Sequence, residues 1–333
     1  MASPSSPVSS AVTGGGRPIR SFGWIVLAAL AAFLINNALS LSLGWPGAAA
    51  PWSGQASDVW GWLQLALYPA LALLFVWWFV MRQTTISLRE DAERIARFNA
   101  FIVRAAFWAV LLIGLADAAI SFVRVEGMLD GWVGHELATD LGRSAFRGPT
   151  VQIPLLVLGV LIALFTRSLG FHWLALLIVA AELMIVITRF VFSYEQAFMG
   201  DLVRFWYAAL FLFASAYTLY EDGHVRVDVF YANFSPVRRG LVNAFGSLLL
   251  GLIFCWVILW VGMGAKTSII NAPIINFEVS QSGFGMYVKY LMAGFLGIFA
   301  VTMMIQFVSF LFEAWADYRD DPGRREHGAA GTA

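Results

Sequence analysis

Cysteine, histidine and charge are all scarce in this chain, and each shortage closes a class of function. One cysteine, Cys255, in 333 residues excludes an internal disulfide and any metal site built on several thiolates. Set within an apolar run, it reads as inert packing. An enzyme would need ligands or a nucleophile and base, and only four histidines exist: His135, His172, His224 and His327. His172 and His224 both fall near one membrane face, so a single haem between the fifth and sixth apolar runs is geometrically allowed. No further histidine on those helices could hold a second. Charged residues make up only 13%, and 21 basic against 21 acidic side chains leave a net charge of zero. Nothing here attracts nucleic acid, and what matters is where the charges sit.

What is abundant is apolar: 60% of the residues, with a mean hydropathy of +0.75. That composition belongs to an integral membrane protein. Runs near the roughly 20 residues that cross a bilayer occur at about 22–43, 60–81, 99–123, 151–167, 171–192, 203–220, 240–262 and 286–313. They predict an all-α integral membrane protein with about eight transmembrane helices. The fourth run is short, and Leu169-Gly170 leaves only a tight turn before the fifth. Residues 1–18, rich in Ser, Pro and Gly, and the charged tail from 318 should be disordered. The first run follows Arg17 and Arg20 as a secretory signal would, and Ala48-Ala49-Ala50 could pass for a cleavage site. Its apolar core is longer than the roughly 7–15 residues of a signal peptide, so a retained membrane helix is the better assignment.

Alternating the loops across eight spans puts 13 basic residues on the side of the termini and 7 on the other, with Arg104 inside the third run. Both termini are therefore expected in the cytoplasm. The segment 124–150 runs against the bias, because it carries Arg124, Arg143 and Arg147 on the outer side. Two helix starts are written in the local chemistry. Ser87-Leu88-Arg89-Glu90 fits a capping box, with Glu90/Arg94 and Glu93/Arg97 at the spacing that pairs charges on one face. Ser235-Pro236 is an N-cap followed by proline at the first helical position.

The most distinctive stretch is Tyr220-Glu221-Asp222-Gly223-His224-Val225-Arg226-Val227-Asp228-Val229-Phe230-Tyr231, a polar patch between two apolar runs. Its alternation would suit a strand, but no partner strand is in view. The valines more plausibly meet the headgroup boundary while His224, Arg226 and Asp228 face water or another chain. From the residues alone, a self-satisfied loop in which Asp228 pairs with Arg226 or caps a backbone amide serves as well.

Gly-His-Val-Arg-Val-Asp just after a membrane helix resembles the small permease subunit of tripartite ATP-independent periplasmic (TRAP) transporters, the DctQ-like family. Thr188-Arg189-Phe190-Val191-Phe192 is similar to the family's Arg-aromatic-Val-Phe, and Asp201-Leu202-Val203-Arg204-Phe205 to its acidic-Leu-x-Arg-aromatic run, with Gly200 where a second acid is usual. Glu278-Val279-Ser280 followed by Lys289 also fits. The resemblance makes His224, Arg226, Asp228, Arg189, Asp201, Arg204, Glu278, Ser280 and Lys289 candidates for a subunit interface. It covers roughly residues 170–315. The chain then divides into 1–18, an N-terminal extension of about four transmembrane helices over 19–168, a DctQ-like four-helix domain over 169–317, and the tail 318–333.

The resemblance implies a multi-pass protein of the bacterial inner membrane in a three-part uptake system. A periplasmic substrate-binding protein captures an organic anion such as a carboxylate, and a large DctM-like permease subunit carries it inward with sodium ions. The small subunit supports the large one, with no catalysis and no cofactor or metal of its own. The segment 263–285 is too long for a tight turn and is a candidate contact with either partner. If the essential interface lies in the family-like half, a chain lacking residues 1–165 should still bind the large subunit.

The extension holds an echo of that half: Leu111-Leu112-Ile113, Ala116-Asp117, Ile120 and Arg124 match Leu176-Leu177-Ile178, Ala181-Glu182, Ile185 and Arg189 at a constant offset of 65. A partial duplication explains this, and so does chance among apolar helices. An ionisable group at a helix centre costs roughly 2.5–3.5 kcal/mol on insertion scales, so Asp117 and Glu182 should face protein or water. Either they relay protons or substrate, or they pair with arginines or asparagines on neighbouring helices to fix packing. Asn36, Asn37 and Gln306 read as interhelical hydrogen bonds. A self-sufficient carrier should show paired Gly/Pro-broken helices in corresponding halves. Pro69 and Pro154 have no counterparts in the family-like half, which places ion and substrate sites elsewhere. A stand-alone carrier or channel, and a membrane-bound haem protein, are the rival classes.

Overall fold

The computed structural model describes residues 16–52, 59–167, 170–194, 197–221, 230–279 and 285–324. Among them, eight helices are long and apolar enough to cross a membrane. In chain order these are α1 (Arg17–Ser42), α2 (Val59–Met81), α3 (Leu88–Val125), α6 (Ser144–Phe165), α7 (Phe171–Val191), α8 (Phe198–Tyr220), α9 (Pro236–Met263) and α11 (Lys289–Tyr318). Three short helices fill the gaps: α4 (Leu129–Val133), α5 (His135–Leu141) and α10 (Asn271–Ile275). No strand occurs among the described residues.

All eight apolar runs thus become helices, several of them longer than their apolar cores. The fourth begins at Ser144, not near 151, and reaches 22 residues. Arg147-Gly148-Pro149 looks like a polar break, but the arginine is neutralised by a partner and the proline falls where the helix widens into a π-helical turn, Gly148–Gln152. Both helix starts carry the expected caps. The backbone N–H of Ser87 donates to Glu90 at 2.8 Å while Ser87 Oγ accepts from the N–H of Glu90 at 3.2 Å. Ser235 Oγ accepts from the N–H of Arg238 at 3.4 Å.

The contacts divide the described residues into two compact units. The boundary at 168/169, drawn on family resemblance, is not a line of packing. One unit holds residues 1–96, 224–254 and 304–333, and the other 97–223 and 255–303.

In the first unit, Arg20 of α1 is buried and its Nε lies 2.8 Å from Oδ2 of Asp91, in the first turn of α3. Its remaining N–H groups donate to the carbonyls of Gln83 at 3.2 Å and Phe79 at 2.8 Å. Trp24 adds an N–H to the same carboxylate oxygen at 3.2 Å and stacks on Phe79 at 3.8 Å. One cation thereby ties the start of α1, the end of α2 and the start of α3. Gln64 donates to the carbonyl of Asn36 and to Ser40 Oγ and accepts from the N–H of Gly47, while Asn36 accepts from the N–H of Ala48. The amide of Asn36 therefore holds the adjoining loop. Small residues allow backbones to meet: a β-carbon on Gly240 would fall 2.5 Å from the backbone nitrogen of Tyr318. Residues 319–324, grouped with the disordered tail in the sequence reading, are held in place. Arg324 Nε lies 3.2 Å from Asp317, and Arg89 donates to the carbonyls of Asp321 and Pro322. Residues 1–15 and 325–333 lie outside the described residues.

In the second unit, Val103, Phe107, Val110 and Ile113 of α3 share one buried cluster with Leu174 and Ile178 of α7, Phe205, Trp206 and Phe213 of α8, and Phe295 of α11. Phe205 and Phe213 meet Phe295 at 5.1 and 5.0 Å between ring centroids. Arg104 is placed to answer the end of α6, donating to the carbonyl of Ala163 at 3.3 Å, where the last turn leaves carbonyls without intrahelical partners. Gly159 lies so close to α3 that a β-carbon would sit 2.5 Å from the backbone nitrogen of Ala109.

Asp91→Ala should destabilise the purified chain by about 3–5 kcal/mol, because it strands the buried Arg20 guanidinium. Replacing both partners by Arg20→Met and Asp91→Leu should recover most of that loss in detergent unfolding. Equal instability of the single and double variants would show that the pair is not what joins α1 to α3. Gly159→Val should lower the midpoint of the same unfolding curve, since the backbone of α3 cannot yield as a side chain would.

Candidate functional site

Polar side chains of the second unit converge on residues 285–290, the link into α11. Asp117 of α3 and Arg147 of α6 are both fully buried, with Arg147 Nη1 3.0 Å from Asp117 Oδ1. Gln152 Nε2 donates to the same oxygen at 3.1 Å. The other carboxylate oxygen accepts the backbone N–H of Tyr287 at 2.9 Å. Arg147 spends its remaining donors on the carbonyl of Leu141, at 2.9 and 2.7 Å, and on Ser121 Oγ at 3.4 Å.

Both partners of Asp117 come from one side of α6 because of a local irregularity. Residues five apart lie about 140° around an α-helix from one another. Between Arg147 and Gln152 the chain forms a π-helical turn, Gly148–Gln152, whose i to i+5 bonding brings residues five apart onto one side.

The link itself is held at successive backbone groups. Arg124 donates to the carbonyl of Gly285 at 3.1 Å, Asp201 of α8 accepts the N–H of Met286 at 3.2 Å, and Gln152 donates to the carbonyl of Tyr287 at 3.0 Å. The ring of Tyr287 lies 4.7 Å from the guanidinium carbon of Arg124 and 4.5 Å from that of Arg147, and its hydroxyl accepts from Arg124. Tyr290 donates its hydroxyl to Gln152 Oε1. The two arginines, Asp117 and Asp201 supply equal numbers of opposite charges along this link.

The preceding segment is built by the same logic. Asn271 is buried and donates to the carbonyls of Met263 and Ala265, both at 2.9 Å, answering acceptors that the end of α9 leaves open. Ser144 Oγ donates to the carbonyl of Phe277 at 2.9 Å. Glu278 and Lys289 pair at 2.7 Å in an exposed position, where such a contact contributes little.

Of the residues singled out by sequence, Asp117 and Asp201 meet at this link and Glu278 and Lys289 meet beside it. Arg204 is exposed, 3.7 Å from Asp201. Arg189 and Glu182 are exposed on α7. His224, Arg226, Asp228 and Ser280 lie outside the described residues. His172 stacks on Phe171 at 3.9 Å. Arg147, Gln152, Tyr287 and Tyr290 were missed as site residues. The signal for Arg147 was in the sequence as one of the outer-side arginines that run against the charge bias.

These elements define a multi-span helical membrane protein whose buried charges hold its own connecting segments. Among the described residues no group of three or more His, Cys, Asp and Glu side chains is gathered that could hold a metal ion. Residues 177–317 match the family model described as tripartite ATP-independent periplasmic transporters, DctQ component. Neither the curated proteins nor the solved structures give a significant match. The matched residues run from within α7 to the end of α11, and α1 to α6 precede them.

Asp117→Ala should destabilise the second unit by about 3–5 kcal/mol by leaving Arg147 buried without its anion, and should speed proteolytic cleavage between α9 and α11. Tyr287→Phe keeps the ring between the guanidinium groups and should cost about 1 kcal/mol, while Tyr287→Ala should cost about 2 kcal/mol more. Equal cleavage rates in the Phe and Ala variants would show that the stacked ring does not fix the link.

Proposed function

We propose that this chain is the small membrane subunit of a TRAP-type secondary transporter in the bacterial inner membrane. It acts with a large permease subunit, which carries an organic anion such as a carboxylate inward with sodium ions, and with a periplasmic substrate-binding protein. The observation that carries this reading is the DctQ match over residues 177–317. The role assigned to the chain is that of a fixed support: a carrier that moves substrate by sliding one domain past another needs a rigid surface beside it. Buried ion pairs and a stacked tyrosine that pin backbone groups suit that task, and the extension enlarges the supporting surface.

The extension is also part of how the family segment is held. Asp117, Arg124, Arg147 and Gln152 come from α3 and α6, and the link they grip belongs to the matched segment. Packing therefore argues against the expectation that a chain lacking residues 1–165 would keep its binding competence. That deletion removes four of the link's side-chain partners and the α3 share of the buried cluster. Cytoplasmic termini are part of the proposal, and Arg124 and Arg147 support it indirectly. Both count against the charge bias, and both are committed to internal partners.

Gentle detergent extraction of the tagged full chain from its native membrane, followed by mass spectrometry, should recover a much larger multi-span permease in stoichiometric amount. A homo-oligomer without such a partner would sink the accessory-subunit assignment and favour a stand-alone carrier.

A further inference from the structure

Asp117 and Glu182 are counterparts at the offset of 65, yet their surroundings differ completely. Glu182 stands twelfth of the 21 residues of α7, at mid-span. It is exposed, and no hydrogen bond or ion pair joins it to a described residue. Its neighbours along the same side, Val179 and Val186, are exposed and apolar, and only 17% of α7's most apolar stretch is enclosed by the rest of the chain. Arg189 lies two turns on, and no ion pair links the two.

An ionisable side chain at that depth is costly against lipid and marks a contact with protein or water. A soluble periplasmic protein cannot reach mid-span. A second copy of this chain meeting it across a two-fold axis would set Glu182 against Glu182, and like charges facing each other disfavour that pairing. A different membrane helix carrying the opposite charge satisfies the acid and covers the valines on either side.

We infer that the Val179–Glu182–Val186 face of α7 is the docking surface for a transmembrane helix of the large permease subunit that presents a lysine or arginine at mid-span. This rests on the accessory-subunit reading above, and the test separates the two. The full chain, tagged and expressed with its native membrane partners, is extracted gently as wild type, Glu182→Gln, Glu182→Leu and Glu182→Lys. The Lys variant should recover at least tenfold less large subunit than wild type, the Leu variant at least threefold less, and the Gln variant should fall between Leu and wild type. The thermal midpoint of each variant purified alone should match wild type, because Glu182 has no partner to lose among the described residues. Since Cys255 is the single cysteine, a Cys255→Ala, Val186→Cys chain labelled with a benzophenone maleimide should photocross-link to the large subunit.

Wild-type recovery of the large subunit by the Lys and Leu variants would overturn this face while leaving the accessory role intact. A cross-link to a second copy of the chain, or to no protein, would overturn it too. If the wild-type chain itself recovers no larger permease, both the role and the docking face fall.

Discussion

A charge inside a membrane helix has to be answered within reach, and the described structure is organised around that requirement. Buried away from water, a lone guanidinium or carboxylate is far more costly than on an exposed surface. The chain meets the demand with pairs whose arginines spend their spare donors on backbone carbonyls. Arg20 also donates to carbonyls at the end of α2, and Asp117 and Arg147 engage the link into α11 and the carbonyl that ends α5. Each pair is therefore a joint between segments. Mutual attraction alone would make a poor stabiliser of this kind; the accompanying backbone bonds offset the desolvation.

The link 285–290 shows what residues outside the matched segment contribute to holding it. A stretch entering a long membrane helix exposes backbone N–H and C=O groups that nothing in its own helix can satisfy. Here Asp201 of the family segment answers one of them, and Asp117, Arg124 and Gln152 of the extension answer three more. Tyr287 then lies between two guanidinium groups, a geometry that places cationic groups on both ring faces and leaves few other rotamers open. A segment held at consecutive backbone positions cannot shift by a residue without losing several bonds together. Such rigidity is what the proposed supporting role requires.

Most of the fold was legible because membrane helices declare themselves by length and hydropathy. Each of the eight runs became a helix, and the caps at Ser87 and Ser235 formed as the local chemistry dictates. The joints were less legible. Ser144–Gln152 looked like loop because its arginine, glycine and proline carry loop signals, and the distant partner that neutralises Arg147 is 30 positions away. Tyr287 and Gln152 are ordinary residues whose importance depends on a π-helical turn that no periodicity of 3.6 anticipates. Asp117 could be picked out as an anomaly, but its partner could not be read from the same helix.

The comparison of Asp117 with Glu182 separates two uses of the same anomaly. At both places an acid precedes an arginine by seven residues on an apolar helix, so intrinsic cost and local sequence are nearly matched. Asp117 has an arginine, an amide and a backbone N–H around it, and its helix contributes four residues to the buried cluster. Glu182 has apolar neighbours and an open side. On the docking proposal, the free energy that Asp117 draws from internal partners comes, for Glu182, from an external one. A surface whose cost is removed only on assembly also disfavours the unassembled chain. An acid at mid-span therefore serves specificity for a cationic partner better than an apolar face of the same shape, which lipid would satisfy equally well.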